Sequence, residues 1–354
     1  MKTTLKIAVV LLCAVALFGC NRQSSSESTS SAASAETVIR IGISKIVQHE
    51  ALDACEQGIQ DALREHGINA TFDLQNANGD PGTAAQIANK FINDKVTVAV
   101  GIATPTAVAL ANAIKDIPVV FSAVTDPIAA NLVTSLGRGE GNVTGFSDEL
   151  LTADHIRMFQ QVAGIRTLGF IYTSSETNSL SDLEKVQEAC RNLGITLIPQ
   201  SINTSAELRQ AAQAIIGRVD GIYIGTDNGV FSALPALIQV CQDAKKPLFS
   251  ADVTAAVNGG CFIANGFNYY TAGLVTGEIV VEILQGKKPA DIPVRFLTAA
   301  EMDLLVDLDA AANCGITIPQ DLLNRANYIY QNGRLTQKKQ GWFQIRTRLD
   351  GEFI

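Results

Sequence analysis

Small polar and acidic side chains follow the predicted strands of this chain, and they are its best candidates for chemistry. Several of them stand just before a predicted helix, where free backbone N–H groups and the positive end of the helix dipole can hold a carboxylate without a lysine. The acids Glu176, Asp227 and Asp252 could hold an ammonium group. A site with both kinds of subsite suits an α-amino acid. The candidate ligand-binding residues are His49, Thr104, Pro105, Ser122, Thr125, Asp126, Ser174, Glu176, Asn178, Asp227, Asn228, Asp252 and Tyr269.

Each candidate also has a purely structural interpretation. Thr104 can cap a helix, which is the commoner role for a threonine before a helix. His49 is equally suited to packing within a loop. Tyr269 is suited to a core or hinge position, although it is also the best candidate for an aromatic wall. The acid–amide pair Asp227–Asn228 is the strongest candidate, because loops at strand ends of α/β proteins commonly carry binding residues.

The chain shows no pattern of catalytic or metal-binding residues. It has no Gly-x-Ser-x-Gly, His-Glu-x-x-His or Cys-x-x-Cys motif, and its three histidines are far apart in sequence. We therefore expect no catalytic residue, no metal site and no cofactor. A hydrolase that uses Ser122 or Ser174 is the weaker alternative, and loss of turnover in a variant of either serine would support it.

Composition and charge narrow the class of protein. The 354 residues are enough for two domains, and 47% hydrophobic with 18% charged residues is typical of a globular chain. The formal net charge is −8 at pH 7. That sign argues against nucleic acid and against an anionic membrane surface as partners.

The N-terminus has the pattern of an export signal. Lys2 and Lys6 precede an apolar run over residues 7–18. This run is too short to span a bilayer as a helix. Residues 17–20 read Leu-Phe-Gly-Cys and resemble the lipobox of bacterial lipoproteins. We predict a signal peptide at 1–19, lipidation of Cys20 and a Ser-rich tether at 20–37. The protein would then be lipid-anchored to a bacterial cell membrane, on its periplasmic or extracellular face. An ordinary secretory signal with a chance cysteine is the alternative.

Five cysteines remain after the signal and Cys20. An odd number leaves at least one thiol unpaired within a monomer, and the spacing matches neither a metal motif nor a disulfide framework. We expect buried free thiols, and a Cys241–Cys261 bridge stays open as an alternative. The five are Cys55, Cys190, Cys241, Cys261 and Cys314.

Strand and helix patterns alternate from residue 38 onward. Between residues 50 and 66, the apolar residues Leu52, Cys55 and Ile59 recur every three or four positions and predict an amphipathic helix. Continuous apolar runs at 96–102 and 117–124 are typical of strands covered on both faces. About ten such strands fit two similar sheets better than one. The pattern predicts an α/β fold with mostly parallel sheets and right-handed crossovers.

A glycine-rich segment at 137–145 marks the expected break between the two sheets. No Gly-Lys-Ser/Thr sequence follows it, and its spacing is not the Gly-x-Gly-x-x-Gly of a dinucleotide-binding turn. A turn-rich connection between lobes therefore fits better than a phosphate-binding loop.

The loop motifs together resemble the lipoprotein substrate-binding components of ABC transporters, in the uncharacterised or tryptophan-type branch. The resemblance runs from about Val38 to Tyr330. Its most specific parts are the Thr-Pro and Val-Thr-Asp-Pro segments at their present spacing. The resembling segments are 49–53 (HEALD), 76–81 (NANGDP), 103–107 (ATPTA), 121–127 (FSAVTDP), 141–145 (GNVTG), 176–179 (ETNS), 226–228 (TDN) and 269–273 (YYTAG).

The resemblance implies a type I periplasmic-binding-protein fold, in which two Rossmann-like lobes with parallel sheets are joined by three crossover strands. Lobe 1 would comprise 38–145 plus 252–290, and lobe 2 would comprise 146–251 plus 291–330. The crossings are expected near 142–148, 250–252 and 289–294. Residues 331–354 would form an extension, either a strand pair packed on a lobe or a loose tail.

The function implied by the resemblance is solute capture for an ABC importer. Two lobes would close on a small zwitterionic ligand, an amino acid with aromatic ones as candidates. The implied partners are the permease and ATPase subunits, with membrane contact through the lipid anchor only and no nucleic acid. A ligand sensor that signals to a membrane receptor and a sugar-binding importer component are alternatives with the same fold.

Overall fold

The computed structural model describes residues 38–338, so the predicted signal peptide, the predicted lipidation site Cys20 and the tether lie outside the described residues. Strands and helices alternate along this range, as predicted. The strands are β1 (Ile39–Lys45), β2 (Ala70–Asn76), β3 (Val98–Ile102), β4 (Val119–Ser122), β5 (Val143–Ser147), β6 (Thr167–Thr173), β7 (Thr196–Ile202), β8 (Gly221–Ile224), β9 (Leu248–Ser250), β10 (Ile263–Gly266), β11 (Arg295–Phe296), β12 (Asp303–Asp307), β13 (Tyr328–Gln331) and β14 (Arg334–Gln337). The helices are α1 (Glu50–Glu65), α2 (Pro81–Asn93), α3 (Thr104–Ala113), α4 (Thr152–Ala163), α5 (Thr177–Leu193), α6 (Leu208–Ile215), α7 (Asn228–Ser232), α8 (Leu234–Asp243), α9 (Tyr269–Leu284), α10 (Leu308–Asn313) and α11 (Gln320–Arg325).

Side-chain caps define several helix starts. At α2, the Asp80 carboxylate accepts a hydrogen bond from the backbone N–H of Thr83, and Pro81 occupies the first helical position. At α9, the Asn268 side chain accepts from the backbone N–H groups of Tyr270 and Thr271. Such caps satisfy backbone donors that have no partner inside the helix.

The first lobe is built on a six-stranded sheet in the order β11-β5-β4-β3-β1-β2, in which each pairing is parallel. Helices α1, α2, α3 and α9 bury their apolar faces in its core. The inner strands β3, β4 and β5 are buried throughout, as expected for a parallel sheet covered on both faces, whereas the edge strands β2 and β11 are partly exposed.

The second lobe is built on an eight-stranded sheet in the order β14-β13-β12-β10-β9-β8-β6-β7. Its pairings are parallel except for β10 with β12 and β13 with β14. Two apolar clusters pack on it, one with α4 and α5 and the other with α6 and α8. The α/β fold class with two mostly parallel sheets is confirmed.

The chain crosses between the lobes later than expected at two of three places. Strand β10 still pairs with β9 and β12 in the second lobe, although residues 252–290 were expected in lobe 1. The chain returns to the first lobe only at α9. Strand β11 pairs with β5 in the first lobe, although 291–330 were expected in lobe 2. Strand β10 follows two glycines at positive φ, and β11 has only two residues. Neither strand therefore has a run of alternating or continuous apolar residues that would predict it from the sequence.

The glycine-rich segment runs into β5 inside the first lobe and packs against Pro289, which lies between α9 and β11 of the same lobe, so the break between the two sheets follows β5 and does not fall at the glycines as expected. A Cβ atom on Gly139 would overlap the carbonyl oxygen of Pro289, so only glycine fits there. Gly141 has φ +56° and stands in the turn that leads into β5. These contacts give the glycines a structural role. In the C-terminal extension, 334–337 form β14, whereas 339–354 lie outside the described residues.

The five cysteines of the described chain all carry free thiols. Four are buried and Cys314 is half-buried. The Cys241–Cys261 bridge is therefore not formed in this structure.

Candidate ligand-binding site

A cavity lies between the two lobes, at the carboxyl ends of strands from both sheets. It is narrow, because only about 10 Å³ of it is open to a water-sized sphere, which is room for one water molecule. Six predicted residues line it: His49, Thr125, Asn178, Asn228, Asp252 and Tyr269. The others that line it are Ala51, Leu52, Ala123, Asp148, Thr226 and Phe231.

Asp148, Asp252 and Tyr269 form an acidic cluster in the cavity. The Tyr269 phenol donates a hydrogen bond to Oδ2 of Asp148 at 2.6 Å, and the backbone N–H of Thr254 donates to Oδ1 of Asp252 at 2.7 Å. The second oxygen of each carboxylate is shielded from solvent and has no hydrogen-bond partner within residues 38–338. The cluster therefore offers two strong acceptors that the protein itself leaves unused.

Burial makes both carboxylates costly to ionise. It raises the pKa of Asp252 to about 7, and the nearby negative charge of Asp148 acts in the same direction. Burial also raises the pKa of Asp148, against the hydrogen bond from Tyr269 that favours the charged form. Among the described residues, no lysine or arginine lines the cavity. A positive charge on a ligand would stabilise both ionised carboxylates.

His49 and Phe231 form an aromatic wall that bridges the two lobes. Their ring centroids lie 5.8 Å apart with 38° between the ring planes. His49 directly precedes α1 of the first lobe, and Phe231 lies in α7 of the second. The Nε2 atom of His49 also contacts Oδ1 of Asn228 at 3.5 Å.

Glu176 holds the two amides of the cavity and does not line it. Its Oε2 atom accepts hydrogen bonds from Nδ2 of Asn178 at 3.0 Å and from Nδ2 of Asn228 at 2.6 Å. Oε1 accepts from the backbone N–H of Gly229 at 3.2 Å. Burial, followed by the negative charge of Asp227, raises the pKa of Glu176 to about 7. Glu176 is therefore placed to orient both amides.

Asp227 lies beneath the cavity and caps α7. Its Oδ1 accepts hydrogen bonds from the backbone N–H of Val230 at 2.9 Å and from the Thr173 hydroxyl at 2.7 Å. Its Oδ2 accepts from the backbone N–H of Thr173 at 2.5 Å and from the Ser179 hydroxyl at 2.7 Å. Both oxygens are thus engaged within the second lobe. Of the predicted acid–amide pair, only Asn228 reaches the cavity.

Two hydrogen bonds join the lobes beside the cavity. The hydroxyl oxygens of Thr125 and Thr226 lie 2.7 Å apart, and both are buried. The Ser181 hydroxyl of the second lobe donates to Oδ2 of Asp126 in the first lobe at 3.1 Å. Asp126 is therefore placed at the contact between lobes, outside the cavity lining.

Four other predicted residues stand away from the cavity lining. Ser122 is buried between Cys55 and Thr276, with its hydroxyl 2.6 Å from that of Thr276. Ser174 is exposed and donates to Oδ1 of Asn203 at 3.0 Å. The remaining two, Thr104 and Pro105, begin α3.

Two strained alanines mark the strand ends of the first lobe. Ala103, after β3, has φ +75°, and Ala123, after β4, has φ +53°. Residues with side chains rarely adopt positive φ, and such strain clusters at functional sites. Ala123 lines the cavity itself.

Sequence reasoning missed six lining residues. Asp148 directly follows β5. Polar residues directly after other strands were candidates, so Asp148 would have been one too if β5 had been predicted. Thr226 adjoins a predicted residue, and Phe231 lies one helical turn beyond Asn228. The small or aliphatic Ala51, Leu52 and Ala123 carry no chemical signal of their own.

Within residues 38–338 there is no group of three or more His, Cys, Asp or Glu side chains arranged to hold a metal ion. In that same range, no helix combines the length and the apolar character needed to cross a bilayer.

A comparison with protein families identifies the chain. The family model for ABC transporter substrate binding proteins matches residues 40–329. The chain belongs to this family. Members of this family are substrate-binding proteins and not enzymes, and those of ABC importers work outside the cytoplasm.

Several known proteins are similar to this substrate-binding protein. A tyrosine-binding protein of Clostridioides difficile is 35% identical over 267 residues, covering 74% of this chain and 77% of that protein. The structure of an ABC domain from Streptococcus pneumoniae in complex with L-Trp is 32% identical with a TM-score of 0.79. The ligand-free, open structure of a Clostridium difficile substrate-binding protein with adhesive properties is 34% identical with a TM-score of 0.62. Both structures cover 83% of this chain, which spans 100% of each of theirs.

The two solved structures differ in how well they superimpose on this substrate-binding protein. Sequence identity and coverage are nearly equal for both, so sequence divergence does not explain the difference in TM-score. In the structure described here the two lobes meet, since Thr125 contacts Thr226 and Asp126 contacts Ser181; we call this the closed arrangement.

Proposed function

We propose that this substrate-binding protein captures an L-amino acid with an aromatic side chain and delivers it to the permease and ATPase subunits of an ABC importer. One observation carries the choice of an amino acid. Asp148 and Asp252 each leave one buried carboxylate oxygen without a partner among the described residues, in a cavity with no lysine or arginine of that range in its lining. An ammonium group has donors for both oxygens and supplies the missing charge.

The ligand carboxylate fits the start of α1. Ala51 and Leu52 of its first turn line the cavity, and first-turn N–H groups have no acceptor inside the helix. A helix of 16 residues also directs the positive end of its dipole there. The ring of the ligand fits the aromatic wall of His49 and Phe231. The tyrosine-binding relative and the relative in complex with L-Trp support an aromatic amino acid.

Delivery requires the lobes to open and close. An aromatic amino acid is far larger than the single water that the closed cavity admits, so the lobes must part for it to enter and must then close around it with a wider cavity than in the ligand-free structure described here. Thr125 with Thr226, and Asp126 with Ser181, then add contacts that exist only when the lobes meet. A ligand that touches both lobes shifts the population toward the closed form.

The same proposal includes a lipid anchor. The signal at 1–19 would be removed, Cys20 would carry acyl chains, and 20–37 would tether the folded part to the membrane. We expect the intact mass of protein extracted from bacterial membranes to exceed that of the chain beginning at Cys20 by the mass of the lipid. A Cys20→Ser variant should be released from the membrane fraction, and a variant that stays there would contradict the anchor.

A thermal-shift panel of amino acids and sugars tests the ligand class. A ligand that binds only the native state raises the melting temperature. We expect L-Trp or L-Tyr to raise it and sugars to leave it unchanged. A response to sugars alone, or to no amino acid, would contradict the proposal.

Calorimetry on a pair of Asp→Asn variants tests the acidic cluster. Asp252→Asn should weaken binding of the aromatic amino acid about 10- to 100-fold, because it removes a charge-assisted hydrogen bond. Asp303→Asn is the matched control, since Asp303 is a buried acid of β12 away from the cavity. Equal effects of the two substitutions would contradict the role of Asp252.

A further inference from the structure

Nδ1 of His49 is a buried polar atom in the cavity that the protein leaves unused. It is shielded from solvent and has no hydrogen-bond partner in the part of the chain that the structure describes. It belongs to the aromatic wall of His49 and Phe231, which lines the cavity and against which the proposed function places the ligand ring. Whether this atom donates or accepts depends on where the imidazole carries its proton.

The neighbouring hydrogen bonds determine which ring nitrogen of His49 carries the proton. Nδ2 of Asn228 donates to the Glu176 carboxylate at 2.6 Å, so the amide oxygen of Asn228 must face the other way. That oxygen faces Nε2 of His49 at 3.5 Å. Because an amide oxygen only accepts, Nε2 carries the proton and Nδ1 presents its lone pair.

Burial keeps this lone pair available. It lowers the pKa of His49 to about 4, so the imidazole is neutral at pH 7 and Nδ1 is an acceptor. Asp53 and Lys45 act on the imidazole in opposite directions and with smaller effects than burial. An unpaired acceptor in a closed cavity is costly unless a ligand supplies a donor.

We propose that Nδ1 of His49 accepts a hydrogen bond from the ring N–H or O–H of the bound amino acid, and that this bond selects tryptophan and tyrosine over phenylalanine. The inference rests on the proposed function, because it needs an aromatic amino acid in the cavity. Phenylalanine would fill the same space but leave the acceptor buried and unpaired. Sites built to bond a ligand hydroxyl or N–H reject the analogue that lacks it.

Two ligand pairs test the selection by calorimetry. L-Tyr and L-Phe differ by the hydroxyl alone, and L-Trp and 3-benzothienyl-L-alanine differ by replacement of the indole N–H with sulfur. We expect the wild-type protein to prefer the donor-bearing member of at least one pair by roughly 10- to 100-fold. In His49→Phe, which keeps an aromatic ring, the preference should fall to within about threefold.

The preference ratio separates selection from a structural role. His49→Phe also removes the contact with Asn228, and that loss would weaken both members of a pair equally. Melting curves of the variant check that it folds. The inference is overturned if wild-type protein binds both members of each pair equally, or if His49→Phe leaves the preference intact.

Asn178 offers the alternative acceptor. Its Oδ1 atom also lacks a partner in the described range and lines the same cavity. If Asn178→Ala removes the preference and His49→Phe does not, the inference for His49 is wrong. If the wild-type protein binds none of the four compounds, the proposed function itself fails and the inference fails with it.

Discussion

Thr125→Val removes a hydroxyl that joins the two lobes and keeps the shape of the side chain. The Thr226 hydroxyl donates to the Asp182 carboxylate at 2.9 Å, and we therefore assign Thr125 as the donor in its bond with Thr226. When the lobes part, both hydroxyls return to water, and the bond therefore stabilises only the closed form. A net contribution of about 1 kcal/mol for one hydrogen bond corresponds to an approximately fivefold change in an equilibrium constant.

Calorimetry with L-Trp or L-Tyr measures this effect. We expect Thr125→Val to weaken binding about fivefold. The melting temperature of the ligand-free variant should stay close to that of the ligand-free wild type. Without ligand we expect the lobes to be open, so the bond between Thr125 and Thr226 is absent in both proteins.

Thr276→Val is the matched control. Thr276 is also buried, and its hydroxyl lies 2.6 Å from that of Ser122, but both residues belong to the first lobe. This substitution should lower the melting temperature and leave the dissociation constant unchanged. If Thr125→Val behaves in the same way, the ligand-free protein is already closed and the reasoning on hinge closure is refuted.

Three further predictions concern packing, protonation and a cap. In Gly273→Ala, the new Cβ would overlap the Cys55 carbonyl oxygen and push α9 away from α1, so urea denaturation should show a loss of about 1–3 kcal/mol; an unchanged midpoint would contradict this packing. Because burial in the closed form raises the pKa of Asp252 to about 7, closing on an ammonium ligand below that pH requires the carboxyl group to lose its proton. Calorimetry should then show tighter binding as pH rises from about 5 to 7, by up to about tenfold per unit, and a flat profile would exclude this coupling. Asp227→Ala should cost about 2–4 kcal/mol of unfolding free energy, since four hydrogen bonds end on its carboxylate, and full stability in the variant would contradict its role as a cap.

The fold was largely predictable because its elements are long or strongly patterned. The amphipathic α1 and the continuous apolar strands β3 and β4 lie close to where the sequence pattern predicted them. The lobe crossings were less predictable, because β11 has two residues and β10 follows a stretch with two glycines. Pairing of such short strands depends on tertiary contacts that leave no periodic signal.

Six of the twelve residues that line the candidate cavity were among those predicted from the sequence. Strand ends converge in a parallel α/β sheet, so the rule brought His49, Asn178 and Asp252 to one cavity. The position of a residue at a strand end does not show whether its side chain faces the cavity or the interior of its own lobe. Asp227 turns inward because four donors surround it, whereas Asp148 keeps its Oδ1 atom without a hydrogen-bond partner among residues 38–338. Those directions are set by the packed structure and not by residue type.

Small-angle X-ray scattering of the protein with and without aromatic amino acids tests most directly whether two lobes close on this ligand. With saturating L-Trp or L-Tyr, we expect a smaller radius of gyration and a profile that fits the closed structure described here. Without ligand, the profile should require a more open arrangement of the same lobes. Superimposable profiles under saturating ligand, with binding confirmed by calorimetry, would contradict closure.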